Sequence, residues 1–71
     1  MNEDVEKLRS LLREVPNSYD DFVNGVVSFS KRHGIVKEMV DFILSSENIT
    51  KNDVFKEYRR LSNVYNPLNV V

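Results

Sequence analysis

Three groups of side chains in this sequence have the types that chemistry needs: the adjacent carboxylates Asp20 and Asp21, the single histidine His33, and the cations and amide of Lys51, Asn52, Lys56, Arg59 and Arg60. Paired carboxylates can exchange protons or hold a divalent ion, but a calcium loop spreads its oxygen ligands over about twelve residues around a Gly. Asp20 and Asp21 stand alone at what reads as the first turn of a helix, where negative charge suits the macrodipole. His33 lies between Arg32 and Gly34 with no second ligand at metal-binding spacing, so it reads as a solvent-exposed residue at a helix end. The absence of cysteine removes thiol nucleophiles, disulfides and thiolate metal sites. No Gly-rich phosphate loop, Ser–His–Asp set or dinucleotide fingerprint is present. The expectation is a chain that is not an enzyme and carries no cofactor or metal.

The elements that must position these groups are all helical. Val5, Leu8, Leu12 and Val15 recur at helical spacing with charged residues between them, which predicts a first helix over about 3–14. Four such positions fit packing into a core and are also the seam of two coiled-coil heptads. Pro16 and Asn17 break the chain, and Ser18 followed by Asp21 has capping-box spacing, so a second helix is expected over 18–33. Its stripe of Phe22, Val26 and Phe29, widened by Val23 and Val27, predicts a central helix with neighbours on two sides. Gly25 within it lowers helix propensity and suggests close approach of a neighbouring helix. Lys31, Arg32 and His33 favour the last turn, and Gly34 can end it in the left-handed conformation.

Ile35, Val36, Met39, Val40, Phe42, Ile43 and Leu44 make the third helix, over 35–46, the most apolar, and burial around most of its circumference is expected. Asn48, in the polar break that follows, is a candidate left-handed C-cap residue for this helix, and Ile49 should plug the core. Thr50 and Asp53 form a second capping-box pair opening a fourth helix over 51–65. Its inward stripe is Val54, Tyr58, Leu61 and Tyr65, with Lys51, Asn52, Lys56, Arg59 and Asn63 facing out. Pro67 turns Asn66 away from helix, leaving residues 66–71 as a tail that is either docked on the core or extended. The fold class expected is an all-α, compact, single-domain bundle of four short helices.

The stretch from Met39 to Ser62 resembles the second and third helices of helix-turn-helix domains, particularly the winged class. The features that carry this are the apolar helix ending at Leu44, the polar turn, Ile49, the Thr50 cap and the Asp53–Val54 pair. The resemblance implies that the fourth helix enters the major groove and presents Lys51, Asn52, Lys56, Arg59 and Arg60, with Phe55 beside them, to DNA. A wing would follow that helix, and only six residues follow Tyr65.

Bulk properties weigh against strong electrostatic attraction to nucleic acid or anionic membrane. The formal charge is −1, divided as −3 over residues 1–30 and +2 over 31–71. Hydrophobic and charged fractions of 41% and 30% are those of a folded domain. No apolar stretch is long enough to span a bilayer, and the N-terminus starts with acidic residues rather than a basic region followed by an apolar one, so a cytoplasmic location is expected. Tyr19, Phe55 and Tyr65 with the tail residues Leu68, Val70 and Val71 exceed what a core of this size needs. Phe55, Tyr65, Leu68 and Val70 are therefore the candidate residues for contact with a protein partner or a second copy of the chain.

Overall fold

A computed structural model describes residues 2–65, with side chains placed for 3–64. The tail residues Leu68, Val70 and Val71, and the side chain of Tyr65, lie outside the described residues. Four helices follow one another: α1 (Asn2–Arg13), α2 (Asp20–His33), α3 (Val36–Leu44) and α4 (Lys51–Tyr65), with no strand among the described residues. The inner pair α2 and α3 pack on each other, and α1 and α4 each pack on both. No Cα of α1 comes within 8 Å of one in α4.

The core is aliphatic. Leu8, Leu12 and Val15 from the first segment meet Val23, Val26 and Val27 of α2, Ile35, Met39, Val40 and Ile43 around α3, and Val54 and Leu61 of α4. The amphipathic seam of the first helix is thus spent inside the molecule. On α2 the buried face is Val23, Val26, Val27 and Ser30, while Phe22 and Phe29 stand at its margin, half-buried. The expected stripe is rotated: small β-branched residues fit against three neighbouring helices at once, and the larger rings are pushed to the edge facing α4. Burial of α3 is one-sided too, since Leu44 is 55% exposed.

The helix ends depart from expectation where side chains compete with the backbone. α2 starts at Asp20, with Tyr19 as N-cap and no side-chain cap. Ser18 does not cap it: Asn17 takes a left-handed φ of 62° and the Ser18 N–H donates to the Val15 carbonyl, so Ser18 is used in closing the turn after α1. α3 stops at Leu44 rather than 46 because the hydroxyls of Ser45 and Ser46 both donate to the Phe42 carbonyl, at 3.1 and 2.7 Å. Asn48 is left-handed, with a φ of 56°, but it does not cap α3, whose C-cap is Ser45. The cap of α4 forms as read. The Thr50 N–H donates to Asp53 Oδ2 at 3.0 Å, and the Asp53 N–H returns to Thr50 Oγ1 at 3.3 Å, a reciprocal capping box.

Between α2 and α3 the chain turns on Gly34. Its φ is 67°, its N–H donates to the Lys31 carbonyl, and the Ile35 N–H donates to the Ser30 carbonyl at 2.9 Å. This pair of bonds is a Schellman motif. Ile35, fully buried, then accepts from the Met39 N–H, so one residue ends α2 and the next begins α3.

Gly25 overturns an expectation. It is exposed, and a Cβ built on it meets nothing within 4 Å, so no helix of this chain approaches it. Gly25→Ala should therefore stabilise the monomeric fold by about 0.5–1 kcal/mol, the helix-propensity difference. Urea unfolding at low protein concentration checks this, and a loss of stability would show a steric demand at that position.

Candidate functional site

Of the side chains singled out by type, the carboxylates and the histidine do not assemble into a reactive centre. Asp20 pairs with Arg13 at 2.9 Å across the α1–α2 turn, on the surface. His33 is half-buried rather than solvent-exposed, stacked on Phe29 with ring centroids 4.3 Å apart. Among the described residues, no three His, Cys, Asp or Glu side chains are grouped to hold a metal ion.

What the fold does assemble is a row of rings along the α2–α4 seam. Phe22 meets Phe55 edge-on at 5.4 Å, Phe55 meets Tyr58 edge-on at 5.5 Å, and Tyr58 lies over Phe29 at 4.1 Å. His33 continues the row beyond Phe29, and at the opposite end Lys51 Nζ lies 5.6 Å from the Phe22 centroid, within cation–π range. The helical repeat explains the alternation. Phe22, Phe29 and His33 fall on one edge of α2 at spacings of seven and four, and Phe55 and Tyr58 face them from α4 at a spacing of three. Edge-to-face and offset contacts are the favourable geometries for such pairs.

All of these rings are half-buried, and no aromatic side chain among the described residues belongs to the fully buried core. Phe55 is thus not an isolated apolar side chain on the surface but a link in this row, between Phe22 and Tyr58. Its position beside Val54 was the available signal; which edge of α2 it would meet depends on how two helices pack, which a stripe on one helix does not encode.

The outer face of α4 divides. Asn52, Lys56 and Arg59 are exposed, as expected, whereas Lys51 is half-buried against Phe22. Arg60 is held by Glu57 through two hydrogen bonds of 3.2 and 2.7 Å. Lys56 borders a shallow groove with Glu47, Asp53 and Glu57, so its surroundings are acidic. Six residues, 45–50, join α3 to α4, more than the three or four usual in a helix-turn-helix. A second apolar feature, which sequence reading did not single out, is a groove of about 480 Å³ lined by Leu11, Val15, Pro16, Ile43, Leu44 and Ile49 among others.

The fold and the site together define an all-α bundle with a partly buried aromatic seam between α2 and α4. No family model, curated protein or solved structure matches this chain. No helix among the described residues is long and apolar enough to cross a membrane.

Proposed function

We propose that this chain is a small, non-enzymatic, cytoplasmic docking module that holds another polypeptide along the α2–α4 aromatic seam. The observation carrying this reading is the placement of the rings. Aromatic side chains bring the largest apolar area to a core, yet none of them is fully buried here, and five partly buried rings form one continuous row packed against the edge of the aliphatic core. Aromatic anchors rimmed by charged residues are the usual composition of a protein-binding patch. Lys51, Arg32 and Arg59 supply such a rim.

A photo-crosslinking residue tests it directly. Arg59 is exposed on the α4 turn that carries Phe55, so Arg59→p-benzoylphenylalanine, irradiated in the cell that makes the protein, should give a discrete protein adduct. The same substitution at Glu6, on α1, should not. No adduct at position 59, or equal labelling from both positions, would remove the reading.

A second reading, duplex binding by α4, is favoured by the exposed face of Asn52, Lys56 and Arg59 and opposed by the carboxylates of Asp53 and Glu57 on the same helix. Phosphate neutralisation supplies most of the affinity of such proteins. Adding mixed-sequence duplex to the labelled protein at low salt should leave the amide resonances of residues 51–60 unmoved. Salt-sensitive shifts confined to them, and lost in Lys56→Ala/Arg59→Ala, would put DNA binding first.

A further inference from the structure

The face of α2 opposite the core has no neighbour within the chain. At helical spacing it presents Asp21, Gly25, Ser28 and Arg32, all exposed, flanked by the ring-bearing edge of Phe22 and Phe29. Three observations say what covers it. First, Gly25 lies mid-helix in open space with an ordinary φ, so neither backbone geometry nor internal packing calls for glycine there. Its missing side chain leaves room for a close approach from outside the molecule.

Second, neither the Asp21 carboxylate nor the Arg32 guanidinium has a hydrogen-bond or ion-pair partner among the described residues. This distinguishes Asp21 from Asp20, which Arg13 engages.

Third, the face is self-complementary when reversed. In an antiparallel pair of α2 helices crossing midway between Gly25 and Ser28, Asp21 lies opposite the partner's Arg32, and Gly25 lies opposite the partner's Ser28. The eleven-residue step from Asp21 to Arg32 spans about 16 Å of helix, three turns, so both charges fall on the same face. Opposite charges at helix ends suit any helix. Here they also coincide with small residues at the crossing point and rings along the edge, and a two-fold contact requires a surface to be complementary to itself.

Resting on the docking reading above, we infer that the occupant of this face is a second copy of the chain, paired α2 to α2 in antiparallel orientation. Phe22 and Phe29 of each copy flank the crossing. Two ion pairs between Asp21 of each copy and Arg32 of the other fix its direction.

Charge exchange tests this with the full chain, by sedimentation equilibrium at low salt. The wild type should show a concentration-dependent dimer. Asp21→Arg and Arg32→Asp should each weaken it at least about tenfold, because both crossing pairs become like-charged. An equimolar mixture of the two variants should dimerise again, since every crossing pair in the mixed dimer is opposite in sign. Gly25→Gln, which adds bulk at the crossing, should be monomeric with the helical circular dichroism of the wild type.

A wild type that stays monomeric to its solubility limit overturns the inference, and so does a mixture that fails to regain the dimer while both variants remain folded. An adduct from position 59 to a different protein, with a monomeric wild type, would remove the second copy and leave the docking reading standing.

Discussion

Met39→Ala should leave a large fraction of the chain unfolded at 25 °C. Met39 is fully buried on α3, the helix that packs against all three others, so truncation leaves a cavity inside the one core the fold has. Such deletions cost about 2–5 kcal/mol. A single small core of this kind supplies on the order of 3–5 kcal/mol in total, and the two figures are comparable. Met39→Leu, which nearly conserves volume, should cost less than about 1.5 kcal/mol. Urea unfolding of both variants, followed by circular dichroism at 222 nm, a wavelength that reports helix roughly in proportion to its content, separates the cases. A Met39→Ala midpoint close to the wild type's would mean that the surrounding helices collapse into the space.

The second large effect is expected at Gly34. A left-handed backbone costs an L-residue roughly 1–2 kcal/mol, and a β-branched side chain is an outlier there. Gly34→Val should therefore destabilise by about 2 kcal/mol or more, although a Cβ at this position has open space around it. Gly34→Asn, which tolerates the left-handed region, should lose clearly less. Equal losses for Val and Asn would show that φ is not the cause. The consequence is larger than the residue suggests, because the Ile35 amide that closes the Schellman motif belongs to the residue from which α3 starts. Moving Gly34 out of the left-handed region misdirects α3 as a whole.

These two positions also mark what could be read without coordinates. Helical periodicity, the Gly34 terminator and the Thr50–Asp53 capping box depend on neighbours within a few residues, and all three form as read, whereas Asn48 is left-handed but stands three residues beyond the Ser45 cap of α3. Ser18 was misread because its spacing to Asp21 is equally compatible with a turn, and the left-handed Asn17 drew Ser18 into that turn. The rotation of α2 and the resulting ring row were not legible. Phe22 and Phe29 satisfy a helical stripe as well as the valines do, and only the packing of three helices around α2 decides which set goes to the centre. Gly25 was misread, because a glycine inside a helix is compatible with close approach but does not require it, and no helix of the chain comes near this one. Of the proposed contact residues, Phe55 is placed by the structure, while Leu68, Val70 and the Tyr65 side chain are outside the described residues.

The lack of contact between α1 and α4 bears on how the molecule comes apart. Each outer helix packs its backbone closely only on the α2–α3 pair, so either should undock without first disturbing the other. Amide hydrogens in α1 and α4 should accordingly exchange through separate partial openings, whereas those in α2 and α3 wait for the whole structure to open. A ligand on the ring row, bridging α2 and α4, would slow exchange in α4 and leave α1 with its own rhythm of opening.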